Sequence, residues 1–489
     1  MGYIEGIDRH QVVLFPEALD DYVAADSTVR VIDEFVRGLD MVGLGFERAV
    51  PAAEGRPGYD PRALLGLYIY GYLNRTRSSR RLEAETHRNL EVIWLMRKLR
   101  PDHKTIAEFR RIHSKALKQV TRSFLMLCGE LELLDGTLVL IDGTKVRALN
   151  SLDRNYTAGR TTRLIRQVEA SIAKYLAELD RQDRQEAGSR GPTDPELPRK
   201  LEALRARQKE LQAIQEQIER TGEQVSLSDP DSRRMKVRGS VEVCYNAQIA
   251  VDSKHALIVA HAVTNEENDQ KQLAPMALAA QETLGVEHLE VAADSGYHSP
   301  VQIARCEAAG VIPYVPEPLT SNNVKAGLFT KEDFTYCEAR DAYQCPAGQW
   351  LEHRSQSRHR SGRLLDYYSN PLACRGCPMR QQCTRDRYAR RIIRRPEEAQ
   401  VMAVRERLAK RPELMRRRKA MVEHPFGTLK RGMEMGHFLL RGLDGVSGEF
   451  SLSVLAYDLK RAIKLLGVEC LLEALRRRRE QAERALAFA

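Results

Sequence analysis

The stretch Thr137-Leu138-Val139-Leu140-Ile141-Asp142-Gly143-Thr144 decides the fold. Apolar and β-branched residues run straight into an acid, a glycine and a threonine. A short apolar run bounded by a turn signal reads as a buried strand. On this reading Asp142 stands at the strand's carboxyl end, where the backbone turns at Gly143. A carboxylate at the rim of a buried strand keeps one side open to solvent or a metal ion. The next question is which other acids reach that rim.

A second strand of the same design is Leu289-Glu290-Val291-Ala292-Ala293-Asp294, followed by Ser295-Gly296-Tyr297-His298. Around the two lie a hairpin of residues 242–252 and 256–263, a helix from Asp269 to Thr283, a helix over 300–309 and a strand from Val311 to Val315. Strands alternating with helices predict a mixed α/β layer. If the two strands are neighbours, Asp142 and Asp294 share one rim. Paired carboxylates suit Mg²⁺, which takes oxygen ligands and keeps several waters. Two such ions stabilise the attacking and leaving oxygens of in-line phosphoryl transfer. A third acid is expected from a helix beside the sheet, and Glu423 in Val422-Glu423-His424-Pro425-Phe426-Gly427-Thr428-Leu429-Lys430 is the candidate. Glu423 and Lys430 are two helical turns apart and would share a face, one toward metal and one toward phosphate. Pro425 either kinks that helix or starts it. Asn246, Asp252 and Asp269 read as structural polar residues near the sheet, and His298 and His424 as packed or surface histidines.

The chain has 489 residues, with 43% hydrophobic and 29% charged, an ordinary globular balance with room for several domains. Lys and Arg number 77 against 67 Asp and Glu, a formal charge of +10 that favours a polyanionic partner. No uncharged apolar stretch is long enough to span a bilayer. The N-terminus matches neither a secretory leader nor a myristoylation signal, so the expectation is a cytoplasmic protein, nucleoid-associated and without membrane contact.

Between Ser27 and Ile112 the chain predicts several short helices. Asp60 is the N-cap and Pro61 the first residue of one, and Pro101-Asp102 precedes another. Their faces carry Arg75, Arg77, Arg80, Arg81, Arg110 and Arg111. This resembles a helix-turn-helix region touching DNA; a solvated basic face on a helical bundle is the other reading. Further on, Leu164, Val168, Ile172, Tyr175 and Leu179, then Leu201, Leu204, Leu211, Ile214 and Ile218, predict an antiparallel helical hairpin around a loop at Gly188 to Pro192. It reads as a spacer or dimerisation arm. Past Glu397 the chain is helical and basic, including Arg416 and Lys419, and ends in a tail with Arg476 to Arg479.

Cysteines number nine. In the cytoplasm they favour free thiols or a metal over disulfides. Cys345, Cys374, Cys377 and Cys383 fit a structural tetrahedral Zn²⁺ site, with Cys337 as an alternative ligand. Unlinked free thiols are the competing reading. Cys128, Cys244, Cys306 and Cys470 read as core.

Across nearly its whole length the sequence resembles a bacterial insertion-sequence DDE transposase, of the group marked by Asp-Gly-Thr, Asp-x-Gly-Tyr and Tyr-Arg-Glu-Lys motifs. Asp142 matches the first acid, in Ile141-Asp142-Gly143-Thr144. Asp294 matches the second, in Ala293-Asp294-Ser295-Gly296-Tyr297. Glu423 matches the third, with Lys430 at the family's spacing. Residues 61–112, with Ser78 to Glu83 and Thr105 to Arg110, resemble the N-terminal helical part, and Tyr245 to Asp252 resemble the strand after the insertion. Lys419 stands at the family's Arg position and Arg416 at its Tyr position; Lys keeps the charge but not the bidentate phosphate fork of Arg.

The resemblance implies an α+β or α/β fold: a ribonuclease H-like mixed-sheet catalytic core over 126–450, with insertions at 151–235 (helical hairpin) and 316–395 (Cys-rich). An N-terminal helical DNA-binding domain over 1–125 and a basic C-terminal helix over 451–489 flank it. It also implies binding of terminal inverted repeats, cleavage by activated water and strand transfer by a 3′-hydroxyl. Asp142, Asp294 and Glu423 would hold Mg²⁺ or Mn²⁺. Double-stranded DNA is the expected partner, contacted by Arg75, Arg77, Arg80, Arg81, Arg110, Arg111, Arg416, Lys419 and Lys430, with the protein a homodimer or larger on it. A related nuclease without strand transfer, or a non-catalytic DNA-binding protein on the same scaffold, are the alternatives.

Overall fold

β1 (Leu138–Arg147) runs through the middle of the main sheet, and its first residues, Leu138 to Ile141, are 3% exposed or less. β2 (Ser240–Asp252) lies antiparallel beside it, from Val139 opposite Asp252 to Arg147 opposite Cys244. β3 (Ile258–Thr264) and the short strand Arg233–Val237 both pair with the far edge of β2. On the other side of β1 come β4 (Leu289–Ala292) and β5 (Val311–Tyr314), both parallel. Parallel neighbours need crossovers. The helices Leu273–Leu284 and Pro300–Ala308 supply them. The order β3-β2-β1-β4-β5, antiparallel on one side of β1 and parallel on the other, is compatible with a ribonuclease H-like core.

The computed structural model describes residues 18–51, 54, 58–186, 196–237, 239–318, 322–358 and 364–487. The leader and acylation readings at the N-terminus, and the loop expected at Gly188 to Pro192, lie outside the described residues.

One expectation about β1 is corrected. The strand does not turn at Gly143 but continues to Arg147. The reason is β2, which offers a backbone partner all the way from Val139 to Arg147. Gly143 serves a different purpose: a Cβ there would stand 2.3 Å from Gln248 Nε2 and 2.9 Å from Asp269 Oδ1. Glycine inside a strand often marks such a close approach.

The N-terminal helices form much as their caps predict. Asp60 Oδ1 accepts from the Arg62 N–H at 2.8 Å ahead of Pro61–Leu73, and Asp102 Oδ1 accepts from the Thr105 N–H at 2.8 Å ahead of His103–Ile112. Their apolar faces join one core with the sheet and the C-terminal helices, from Val23 to Leu475. The helix Leu443–Leu466 is the centre of that core rather than a tail. Neighbours on both sides meet part of its buried polar surface. Thr121 Oγ1 donates to the Ser451 carbonyl at 3.2 Å, and Asp458 Oδ1 accepts from the Ile258 N–H at 2.9 Å. Gly448 lets the helix Ser114–Glu130 cross at contact, since a Cβ would lie 2.7 Å from Ser114 Cα.

The helices Ala158–Glu186 and Glu196–Thr221 follow β1 and precede β2. They pack through Leu164, Ile165 and Val168 against Leu211, Ile214 and Ile218. Between β5 and the helix Glu398–Lys410 a separate antiparallel sheet runs from Thr335–Cys337 to Ile392–Arg394.

Candidate active site

β1 and β4 pair only from Leu138 opposite Glu290 to Leu140 opposite Ala292. Past Ala292 the chain leaves the sheet, and Asp294 caps a short turn over Ser295–Tyr297, its Oδ1 accepting from the Gly296 N–H at 2.8 Å. Asp142 is thus in mid-strand on its β2 side and at an open edge on its β4 side. The expected rim exists, made by β4 letting go rather than by β1 ending.

Into that edge projects Arg418, from the helix Leu414–Gly427. Its Nη2 lies 2.7 Å from Asp142 Oδ1 and 3.8 Å from Asp294 Oδ2. Nε and Nη2 also donate to the Ile141 carbonyl at 3.2 and 3.0 Å. Burial pushes the Asp142 carboxyl up to about 6, with the Asp294 charge adding to it. Arg418 and the Gly143 N–H, 2.9 Å from Oδ1, pull the other way. A half-buried carboxylate so placed is sensitive to any cation that joins or leaves it.

Under Asp142 lies a polar floor. Gln248 Nε2 and Asn246 Nδ2 both donate to Asp269 Oδ1 at 2.7 Å. The Tyr297 hydroxyl donates to Gln248 Oε1. Lys145 Nζ is 3.9 Å from Asp269 Oδ1, and burial lowers its pKa. Lys430 reaches the same strand, its Nζ donating to Thr144 Oγ1 at 2.5 Å and to the Lys145 carbonyl at 3.1 Å. Asp252 is structural, accepting from the backbone N–H groups of Asp135, Gly136 and Lys254.

Glu423 forms no metal-holding cluster with the aspartates among the described residues. Its side chain is 64% exposed, and its ion pair among the described residues is with Lys419 at 3.9 Å. Pro425 lies inside the helix, which continues into a π-helical turn over Thr428–Gly432. A π turn holds one residue more than an α turn, so the regular two-turn offset between Glu423 and Lys430 is lost. Lys430 is half-buried against β1 while Glu423 is exposed. Among the described residues no three His, Cys, Asp or Glu side chains are disposed to hold a metal ion as they stand.

The basic residues expected on DNA divide into two sets. Arg80, Arg81, Arg111, Arg416 and Lys419 are exposed, as is Arg75, whose Nε donates to the Gly432 carbonyl at 2.6 Å. Arg77 and Arg110 are buried, which corrects their reading as DNA contacts. Arg77 pairs with Glu449 at 3.1 Å and donates to the carbonyls of Glu434 and His437. Arg110 donates to the Tyr72 hydroxyl and the Arg77 carbonyl at 3.1 Å, and lies over the Tyr68 ring. These arginines tie helices together, and a run of arginines in sequence does not reveal which of them face inward.

Arg418 was the residue to find. It falls on the buried stripe Leu414, Arg418, Val422, Pro425 of its own helix. An arginine at helical spacing among apolar residues signals a buried charge with an acidic partner.

Cys345, Cys374, Cys377 and Cys383 line one small cavity with Phe334, Leu351 and Arg390. Burial raises the Cys383 thiol, Arg390 opposes that, and the other three cysteines add to the rise. Cys128, Cys244 and Cys306 are buried as expected; Cys470 is exposed, a correction, because it lies on the outer side of Val468–Ala487.

No helix among the described residues is long and apolar enough to cross a membrane. Residues 344–463 match a family model described as Transposase DDE domain, and residues 17–111 match one described as Transposase domain (DUF772). The first match contains Arg418, Glu423 and the four clustered cysteines; Asp142 and Asp294 lie outside both. No curated protein and no solved structure matches the chain. Transposase domains are thus matched toward both ends of the chain, with the aspartate pair between them, and the matches support an insertion-sequence DDE transposase, an enzyme of the polynucleotidyl transferase and endonuclease kind.

Proposed function

We propose that the protein binds the terminal inverted repeats of a DNA element and carries out metal-dependent strand cleavage and strand transfer at Asp142, Asp294 and Glu423. One observation carries this reading. Two carboxylates 152 residues apart in sequence (294 − 142) face a single guanidinium nitrogen, at 2.7 and 3.8 Å. The pair already shares one positive charge, and its donors are oxygens, which suits Mg²⁺ or Mn²⁺. Glu423, on the same helix as Arg418, is the third ligand in this proposal. Bound divalent ions would activate the attacking oxygen and stabilise the leaving one. Asp142, Asp294 and Glu423 would hold those ions against the scissile phosphate. Lys430 and Lys145 offset phosphate charge on the β1 side. Arg75, Arg80, Arg81, Arg111, Arg416 and Lys419 contact the DNA backbone. Water breaks the phosphodiester bond first, and the 3′-hydroxyl so freed then attacks target DNA. Pairing two ends calls for a dimer or larger assembly, and the work belongs in the cytoplasm at the nucleoid.

The test is a donor plasmid carrying a marker between the DNA segments that flank this gene, incubated with purified protein and Mg²⁺. Wild-type protein should nick at the segment ends and join 3′-hydroxyl ends to a target plasmid. Asp142→Asn and Asp294→Asn should each abolish both steps while leaving DNA binding intact. Cleavage that persists in Asp142→Asn sinks the assignment, and cleavage without joining points to a nuclease.

A further inference from the structure

The Cys-rich module between β5 and the helix Glu398–Lys410 has little apolar core of its own. Its buried cluster is Phe334, Tyr343, Leu351, Tyr368 and Ile392. So small a core does not usually hold a module together without a covalent or metal staple. The nine cysteines are all free, so disulfides do not supply it.

Four of those thiols reach the lining of one small cavity by four different routes, not yet at ligand spacing as they stand. Cys345 opens a tight turn in which its N–H donates to the Gln349 carbonyl and its own carbonyl accepts from the Gly348 N–H, both at 2.8 Å. Cys374 lies in the helix Pro371–Arg375, Cys377 follows that helix, and Cys383 ends the helix Arg380–Cys383. All four line a cavity of about 30 Å³. Such a volume admits a water molecule or two, or one metal ion.

Arg390 is the second, independent observation. It lines the same cavity, and its Nε is buried with no hydrogen-bond partner among the described residues. A buried guanidinium donor left unpaired is costly, and the acceptor it lacks is a negative one. Thiolate sulfur beside it is such an acceptor. Arg380 adds a further positive charge at the rim, its Nη1 donating to the Cys374 carbonyl at 2.8 Å.

We propose that Cys345, Cys374, Cys377 and Cys383 bind one structural Zn²⁺ ion as a tetrathiolate, with Arg390 donating to a ligating sulfur. Zn–S bonds of about 2.3 Å in a tetrahedron place the sulfurs about 3.8 Å apart. Neutral thiols have no reason to crowd that closely, so ligation and loss of the four protons draw them in together. The site then carries a formal charge of −2 from four thiolates and Zn²⁺, which Arg390 and Arg380 offset. Its role is to staple the module to the end of its own sheet, away from the Asp142 carboxylates and from phosphoryl transfer.

The experiment uses full-length protein purified without chelator. Elemental analysis should find about one zinc per chain. Exchange for Co²⁺ should give the intense visible bands and sulfur-to-cobalt charge transfer of a tetrahedral all-thiolate site. Cys374→Ser with Cys377→Ser should lose both the zinc and the bands, while Cys128→Ser, Cys244→Ser, Cys306→Ser and Cys470→Ser keep them. Should the double variant not fold, wild-type protein stripped with a chelator should show a lowered melting temperature, restored by Zn²⁺ and not by Mg²⁺. Absence of zinc and of cobalt bands in the wild type, retention of zinc in the soluble double variant, or a melting temperature indifferent to chelator overturns the proposal.

Discussion

Replacing Arg77 by alanine separates a structural arginine from a DNA-binding one. Arg77 is 6% exposed and Glu449 fully buried, with 3.1 Å between their charged groups. The guanidinium also satisfies the carbonyls of Glu434, at 2.6 Å, and His437, at 3.1 Å. Alanine would strand the Glu449 carboxylate in the core, where, among the described residues, the N–H groups of Leu439 and Leu440 alone would still serve it. Removing one member of a buried ion pair costs about 3–5 kcal/mol. Against a typical total stability of about 5–15 kcal/mol, that is a large fraction. Arg81→Ala, at an exposed position, should change stability by less than about 0.5 kcal/mol. The assay is urea unfolding of both variants beside DNA binding across a salt series. Arg77→Ala should unfold at markedly lower urea yet keep the wild-type salt slope while folded. Arg81→Ala should keep its midpoint, with the salt slope reduced by roughly one. If Arg77→Ala unfolds like wild type and binds DNA poorly, the reasoning about its burial is wrong.

Three further outcomes follow from the site and the core. Arg418→Met removes the strongest influence holding the Asp142 carboxyl down, so in metal-free protein the Asp142 carboxyl, followed by NMR, should titrate above its wild-type midpoint of about 6; an unmoved midpoint refutes the pairing as the control on Asp142. Gly143→Ala would press a methyl to 2.3 Å from Gln248 Nε2, and overpacking of this kind costs about 1–3 kcal/mol; a variant with wild-type stability and cleavage would show that the floor has room to give. Half-buried His261, next to Ser451 Oγ at 2.8 Å, is lowered to about 3 by burial and by Lys118. Its folded pKa is depressed, so the unfolded chain takes up the proton first and stability drops as pH falls from about 6.5 toward 3, by on the order of a few kcal/mol. His261→Gln should flatten that decline in urea midpoints measured across the window, and an unchanged slope would exclude His261 as its source.

Much of the architecture was legible in local patterns. Buried strands announce themselves as apolar runs, which is how Leu138 to Ile141 and Leu289 to Ala292 were placed. Caps are local chemistry, so Asp60 and Asp102 marked their helices. The paired aspartates and the Cys-x-x-Cys spacing at Cys374 and Cys377 could be read for the same reason: each is a short motif whose meaning needs few neighbours.

What tertiary structure alone decided depends on which side of an element meets which partner. The end of β1 was misread at Gly143 because the residues that require a glycine there, Gln248 and Asp269, are more than a hundred positions away. Arg77 and Arg110 look like Arg80 and Arg81 in sequence and differ only in the direction they face. Arg418 stands one residue before Lys419, yet one helical step of about 100° separates a side chain in contact with Asp142 from one in solvent. A sequence carries the residue types and the local period. Which charges are buried together is set by the packing of distant segments, because a charge's energy depends on its surroundings and not on its chain neighbours.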